Sequence, residues 1–180
     1  MEGIYIVGVG MTPFGKLLDR SVKDLTREAV AGALADASCT IADLEAVQFS
    51  NACQGHMQGQ DLIRGEIALR SMGIEGIPVT NVENACASAS TAVHGAVQFL
   101  RAGMGEVALA VGVEKMYSTD RARMFSAFDS GWDVETAEKI DKEPTWPKES
   151  FEQLLKLGFA DRIVDNEDHH YVRRLRGIVD

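Results

Sequence analysis

The chain has 180 residues, 46% of them hydrophobic and 25% charged, with a formal net charge of −9. That suits one well-buried soluble domain with a small appendage. The negative charge argues against a nucleic-acid or anionic-membrane surface, though a local basic patch for a phosphate-bearing ligand remains compatible with it.

Residues 3 to 9, rich in Ile and Val and bounded by glycine, read as a buried strand. Ser21 opens a helical pattern with Leu25, Ala29, Val30, Ala33, Leu34 and Ala37 on one face. It is an N-cap candidate, with Asp24 completing a weaker form of the capping box. Residues 45 to 50 read as a second strand and the Gly- and Gln-rich stretch 54 to 60 as a loop. Residues 61 to 72 return to helical spacing through Leu62, Ile67, Ala68 and Met72, with Gly73 as the stop. An extended apolar segment, Ile77 to Val82, then runs into a small-residue turn. The next helix passes through Ala92, Val93, Ala96, Val97, Phe99 and Leu100 to Ala102, and Gly103 ends it. A last strand spans Val107 to Gly112. Strands alternating with helices imply an α/β fold, a mostly parallel sheet with helices on both faces.

Cys86 falls where a strand meets the start of a helix, at the sheet end where active groups gather in such folds. Unpaired N–H groups and the helix dipole there favour a thiolate. Ala87, Ser88 and Ala89 leave room for an acyl group, so a nucleophilic cysteine is the functional reading. The plain alternative is a cysteine packed as a small hydrophobe. Three cysteines (Cys39, Cys53, Cys86) without close pairing or CxxC spacing make neither a disulfide framework nor a zinc site, and no metal is expected. A reducing compartment fits them. The N-terminus shows no basic flank or cleavage site, and no apolar stretch approaches a membrane span, so the expected location is cytoplasmic.

The stretch Asn81-Val82-Glu83-Asn84-Ala85-Cys86-Ala87-Ser88-Ala89-Ser90 resembles the nucleophile segment of the thiolase superfamily. Three further segments resemble the same family in the same order: Ile4 to Gly15, Gln54 to Gln60, and Ala110 to Met116. The opening is most similar to sterol-carrier-protein-2-type thiolases and their acetyl-CoA acetyltransferase-like relatives. The resemblance covers residues 1–120 as an N-terminal core and implies one half of a five-layer fold, with the Cys86 helix central and its face of Ala87, Ala89, Ala92, Gly95 and Ala96 buried between layers. In the family the other half carries a histidine in a Gly-His-Pro-type segment and a second cysteine in a Cys-x-Gly segment. Neither motif follows Cys86 in these 180 residues.

The histidines on hand are His56, His94, His169 and His170. His94 lies two turns along the Cys86 helix, roughly 12 Å down the axis at 1.5 Å per residue, and reads as structural. His56 reads as a solvated loop residue. Residues 121–145 read as the start of a substrate-covering loop domain or a linker. Residues 146–180 are an unassigned amphipathic tail, with a short helix from Lys148 to Leu157, a polar turn from Val164 to His170, and a basic end bearing Arg173, Arg174 and Arg176. His169 and His170 beside Asp165 and Asp168 read as an exposed tail rather than a metal site.

Two classes of function follow. The resemblance implies a thiolase-type acyltransferase on acyl-CoA or 3-ketoacyl-CoA thioesters, working through a Cys86 acyl-enzyme with no cofactor beyond coenzyme A as substrate. Helix-terminal N–H groups, that of Cys86 included, would hold oxyanion charge, each commonly worth about 2.7–4 kcal/mol. A ketosynthase-like condensing enzyme is the nearest enzymatic alternative. The other class is a noncatalytic thiolase-like subunit that assembles with a partner, for example an OB-fold/zinc-ribbon protein. A homo-oligomer or heteromer is expected, with neither nucleic acid nor membrane as partner.

Overall fold

Ser21 starts the first helix. Its backbone is extended, its hydroxyl accepts the Asp24 N–H at 3.1 Å, and the Asp24 carboxylate takes the Ser21 N–H at 3.0 Å. Both orphan donors are thereby satisfied, and α1 runs Val22–Asp36. The hydrogen bonds from Ser21 hold the Asp24 carboxyl down at about 2. The computed structural model to which this helix belongs describes residues 3–131 and 133–135.

Three strands, β1 (Ala46–Ser50), β2 (Val79–Val82) and β3 (Ala108–Gly112), form a parallel sheet in the order β2-β1-β3. Val47 sits opposite both Val79 and Leu109. As the middle strand, β1 is buried on both faces: Ala46, Val47, Phe49 and Ser50 are nearly inaccessible. Alternation along β1 sorts the helices. Phe49 faces Gly65 of α3 (Arg64–Arg70), where an added Cβ would lie 2.7 Å from the Phe49 Cβ. Gln48 points the opposite way, to Gly95 of α4 (Ser88–Arg101), where a Cβ would lie 2.8 Å from its Oε1. Helices therefore cover both faces, α1 packing beside α3 and α4 lying opposite. The core joins Val22, Leu25 and Val30 of α1 to Val47, Phe49, Ala68, Leu69 and Val111. The described residues also hold two further short helices, α2 (Gln54–Gln58) and α5 (Arg121–Asp129).

Two readings change. Residues 3 to 9 form no strand: Tyr5, Ile6, Val7 and Val9 are 65–82% exposed. The segment pairs with neither outer edge of the sheet and lies along α1 instead. Gly8 and Gly10 press so closely on it that a Cβ at Gly8 would stand 2.7 Å from the Ala37 Cβ, and the Val9 N–H donates to Asp36 at 2.9 Å. The stretch read as a loop, 54 to 60, holds α2, closed by Gly59 at φ 75°. Along the Cys86 segment of this chain Ala87 and Ala89 are exposed and Ser88, Ala92 and Ala96 are buried; the burial between layers implied by the resemblance belongs to a fold of two halves.

The chain divides into two units, Met1–Ala127 and Phe128–Asp180. The first holds everything above except the last turn of α5. In the second, the Gly131 N–H donates to the Phe128 carbonyl, and the Glu135 N–H to Asp133. The helix expected at Lys148 to Leu157, the turn at Val164 to His170 and the basic end lie outside the described residues. Among those described, no helix is long and apolar enough to cross a membrane.

Candidate active site

β2 ends at Val82, and the chain turns through Glu83 and Asn84 into a 3-10 turn, Ala85–Ala87, that leads directly into α4. Cys86 is the middle residue of that turn and is exposed. Ala85, just before it, has φ 45°, a left-handed conformation that costs an L-residue about 1–2 kcal/mol. Surrounding hydrogen bonds hold it there. The Ala85 N–H donates to the Glu83 carboxylate at 2.7 Å, and the Ala87 N–H to the Asn84 carbonyl at 2.9 Å. The Ser88 and Thr91 hydroxyls reach back from the first turn of α4 to the same segment. An accessible thiol thus sits on a braced, strained turn at the carboxyl end of a parallel sheet.

The neighbouring strand ends differently. Past Ser50, Asn51 is buried; its side chain donates to the Val113 carbonyl at 2.6 Å and accepts the Gln54 N–H at 2.9 Å. The Glu114 carboxylate accepts the N–H groups of Ala52 and Cys53. Burial pushes the Cys53 thiol up, and the negative charge of Glu114 adds to the rise. Arg64 ties the same corner, donating to Gln60, Asn51 and Ala52 carbonyls at 3.0, 2.9 and 3.3 Å. A cleft of about 160 Å³ opens between the two strand ends, lined by Phe49, Asn51, Arg64, Asn81 and Glu83 among others. It is smaller than the roughly 300–1,000 Å³ of ordinary small-molecule sites, and Cys86 does not line it.

The segment Ala110 to Met116 does its work by hydrogen bonding, which the sequence alone does not reveal. Beyond Glu114, the Lys115 ammonium takes the carbonyls of Leu17, Leu18 and Arg20, tying the end of the N-terminal segment to the far end of β3. Neither described histidine is hydrogen-bonded to the thiol. The His56 Nε2 stands 2.9 Å from the Ser126 hydroxyl of α5, whose own proton goes to the Arg123 carbonyl; His94 is exposed on α4. No hydrogen bond joins either one to Cys86. His169 and His170 lie outside the described residues, and among the described ones no three metal-ligating groups gather.

The model for the thiolase N-terminal domain matches residues 4–161, most of the chain. The chain belongs to the thiolase family. Sterol carrier protein 2 of Gallus gallus is 37% identical over 125 residues, covering 68% of this thiolase chain and 22% of its own length. An acetyl-CoA acetyltransferase of Methanothermobacter thermautotrophicus is 34% identical over 137 residues, 75% of this chain and 36% of its own. The chain thus spans between a fifth and two-fifths of the length of these relatives. Among solved structures, an Ltp2-ChsH2(DUF35) aldolase overlays 67% of this chain and 31% of its own at 25% identity, with a TM-score of 0.48. The family match runs past residue 120, where the resemblance of the motifs ends, and into the tail at 146–180.

Proposed function

We propose that Cys86 is the acyl-accepting nucleophile of a thiolase-type acyltransferase acting on acyl-CoA or 3-ketoacyl-CoA thioesters. The observation that carries this reading is the exposed Cys86 thiol on a strained, braced turn between a parallel strand and a long helix. Family membership and acetyltransferase relatives support the substrate class. In the cleavage direction the Cys86 sulfur bonds to the keto carbon of a 3-ketoacyl-CoA. The bond between that carbon and C2, the carbon lying between the two carbonyls, then breaks, and the electron pair leaves with acetyl-CoA as its enolate, which takes a proton. The thiol of a second coenzyme A gives up its proton and takes the acyl group from Cys86, and the cysteine leaves as its thiolate.

Proton transfers in that sequence commonly contribute about 10²–10⁴-fold each. No histidine among the described residues is bonded to Cys86, so the 180-residue chain alone is expected to turn over acetoacetyl-CoA barely above background. Stoichiometric acylation is the cleaner test. Incubation with acetyl-CoA followed by peptide mass mapping should place an acetyl group on Cys86, and Cys86→Ser should abolish it while circular dichroism stays unchanged. An adduct that persists in the Ser variant would assign the chemistry elsewhere.

A second reading, a noncatalytic thiolase-like subunit that assembles with a partner chain or a second copy, has its own observation. Tyr5, Ile6, Val7 and Val9 stand exposed, and β2 and β3 are both sheet edges among the described residues. Sedimentation at micromolar concentration tests the second-copy form; a strictly monomeric profile sinks that form.

A further inference from the structure

We infer that Ser88 is a positioning residue for Cys86: its hydroxyl clamps the two residues preceding the cysteine and so fixes where the thiol points. This rests on the nucleophile reading above but concerns a different residue. Ser88 is 6% exposed, one of few buried polar residues in the described core. Its oxygen accepts the Asn84 N–H at 2.8 Å and its proton goes to the Ala85 carbonyl at 2.7 Å. One hydroxyl therefore uses an acceptor lone pair and its only donor on either side of the Asn84–Ala85 unit.

That unit contains the left-handed residue. Ala85 has a Cβ and no intrinsic reason to sit at φ 45°, so the conformation survives only if its surroundings impose it. Ser88 imposes it from below. Thr91, one turn further along α4, reinforces it from outside: its hydroxyl accepts from the Asn84 side chain at 3.0 Å and donates to the Ala87 carbonyl at 2.9 Å. The backbone on both sides of Cys86, at Ala85 and Ala87, is thus held by hydroxyls on the helix that follows. Without Ser88 the turn loses two of the bonds that oppose relaxation toward ordinary dihedrals, a relaxation that would rotate the Cα–Cβ bond of Cys86.

Three variants of the 180-residue chain test this: Ser88→Ala, Ser88→Thr and Thr91→Val. The readouts are the rate of Cys86 acetylation by acetyl-CoA, the rate of its alkylation by iodoacetamide with Cys53 in the same molecule as reference, and the thermal midpoint. A misplacement of about 1 Å commonly costs 10²-fold, so Ser88→Ala should slow acetylation by about ten- to a hundredfold. It should alter Cys86 alkylation while leaving that of Cys53 unchanged, and Thr, which keeps the hydroxyl, should restore both. If Ser88→Ala does not fold, Thr91→Val should show the same selective change at smaller size. The inference is overturned if Cys86 rates in folded Ser88→Ala match the unsubstituted chain, if Cys86 and Cys53 change together, or if neither Ser88→Thr nor Thr91→Val behaves as stated. Failure of the nucleophile reading looks different: the unsubstituted chain takes no acetyl group, yet Cys86 alkylation still responds to Ser88.

Discussion

Two cysteines stand at the carboxyl ends of adjacent parallel strands, and their settings diverge. Cys53 follows β1 by three residues and Cys86 follows β2 by four. Both precede a helix, so fold position alone treats them alike. Around Cys53 the chain places a carboxylate, that of Glu114, and half-buries the sulfur at the head of the five-residue α2. Around Cys86 it places the Ser88 and Thr91 hydroxyls, ties the Glu83 carboxylate to the Ala85 N–H, leaves the cysteine exposed and continues into a fourteen-residue helix. Topology offers the location, and the side chains that fill the neighbouring turn decide whether a thiol there is reactive.

The sharpest break of this contrast is a labelling race. At neutral pH Cys86 should react with iodoacetamide well ahead of Cys53, since exposure favours the first and a raised pKa withholds the thiolate of the second. Raising the pH should narrow the gap as Cys53 ionises. Equal labelling at neutral pH would erase the distinction. Glu114→Gln removes the charge but keeps an acceptor for the Ala52 and Cys53 N–H groups, so Cys53 labelling should rise with Cys86 as the unchanged reference. Gly65→Ala comes next and should not discriminate between the two. Its Cβ would meet Phe49 at 2.7 Å and Val79 at 3.0 Å, beneath both strands. Overpacking there should cost about 1–3 kcal/mol in denaturant unfolding, and labelling ratios that stay constant would show that the contrast is local.

The smallest effect lies far from either cysteine. Ser21→Ala should cost about 1 kcal/mol in the same unfolding assay. Asp24 adds a pH signature: its folded value, about 2, lies below the unfolded 3.8, so the folded chain binds that proton more weakly. Its stabilising contribution is complete above pH 3.8 and is lost as pH falls toward 2. Asp43 and Glu45, lowered by N–H donors from Thr40 and from Glu106 and Val107, act in the same direction. Stability of the Ser21→Ala chain should fall less steeply in this acid window than that of the unsubstituted chain.

These cases also separate what the sequence carries from what it hides. The α1 capping box was legible because its partners are three residues apart, and the ends of α3 and α4 because Gly73 and Gly103 take positive φ, at 84° and 66°. Position 86 was legible from local pattern. The segment from Ile4 to Val9 was misread because an Ile- and Val-rich run looks identical with or without a strand to pair with. α2 was missed because five residues are too few to display a helical period. Glu114 and Ser88 were visible as letters, but their roles were not. Glu114 reaches 61 positions back, and a serine in a small-residue run announces space rather than a clamp.

Order of synthesis gives the β1–β3 pairing a temporal meaning. The central strand is made first, and the groups that finish its end come from far downstream: Ser50 bonds to Val111, Asn51 to Val113 and Ala52 to Glu114, separations of 61 or 62 positions. A chain emerging from the ribosome leaves β1 without its second neighbour until residue 112 is available, exposing an apolar strand edge for seconds at ordinary elongation rates of about 5–20 residues per second. β2 arrives sooner, pairing Val47 with Val79. The Cys86 turn, whose bonds all lie within Glu83 to Thr91, can take shape locally, whereas the Cys53 corner stays open until Glu114 arrives.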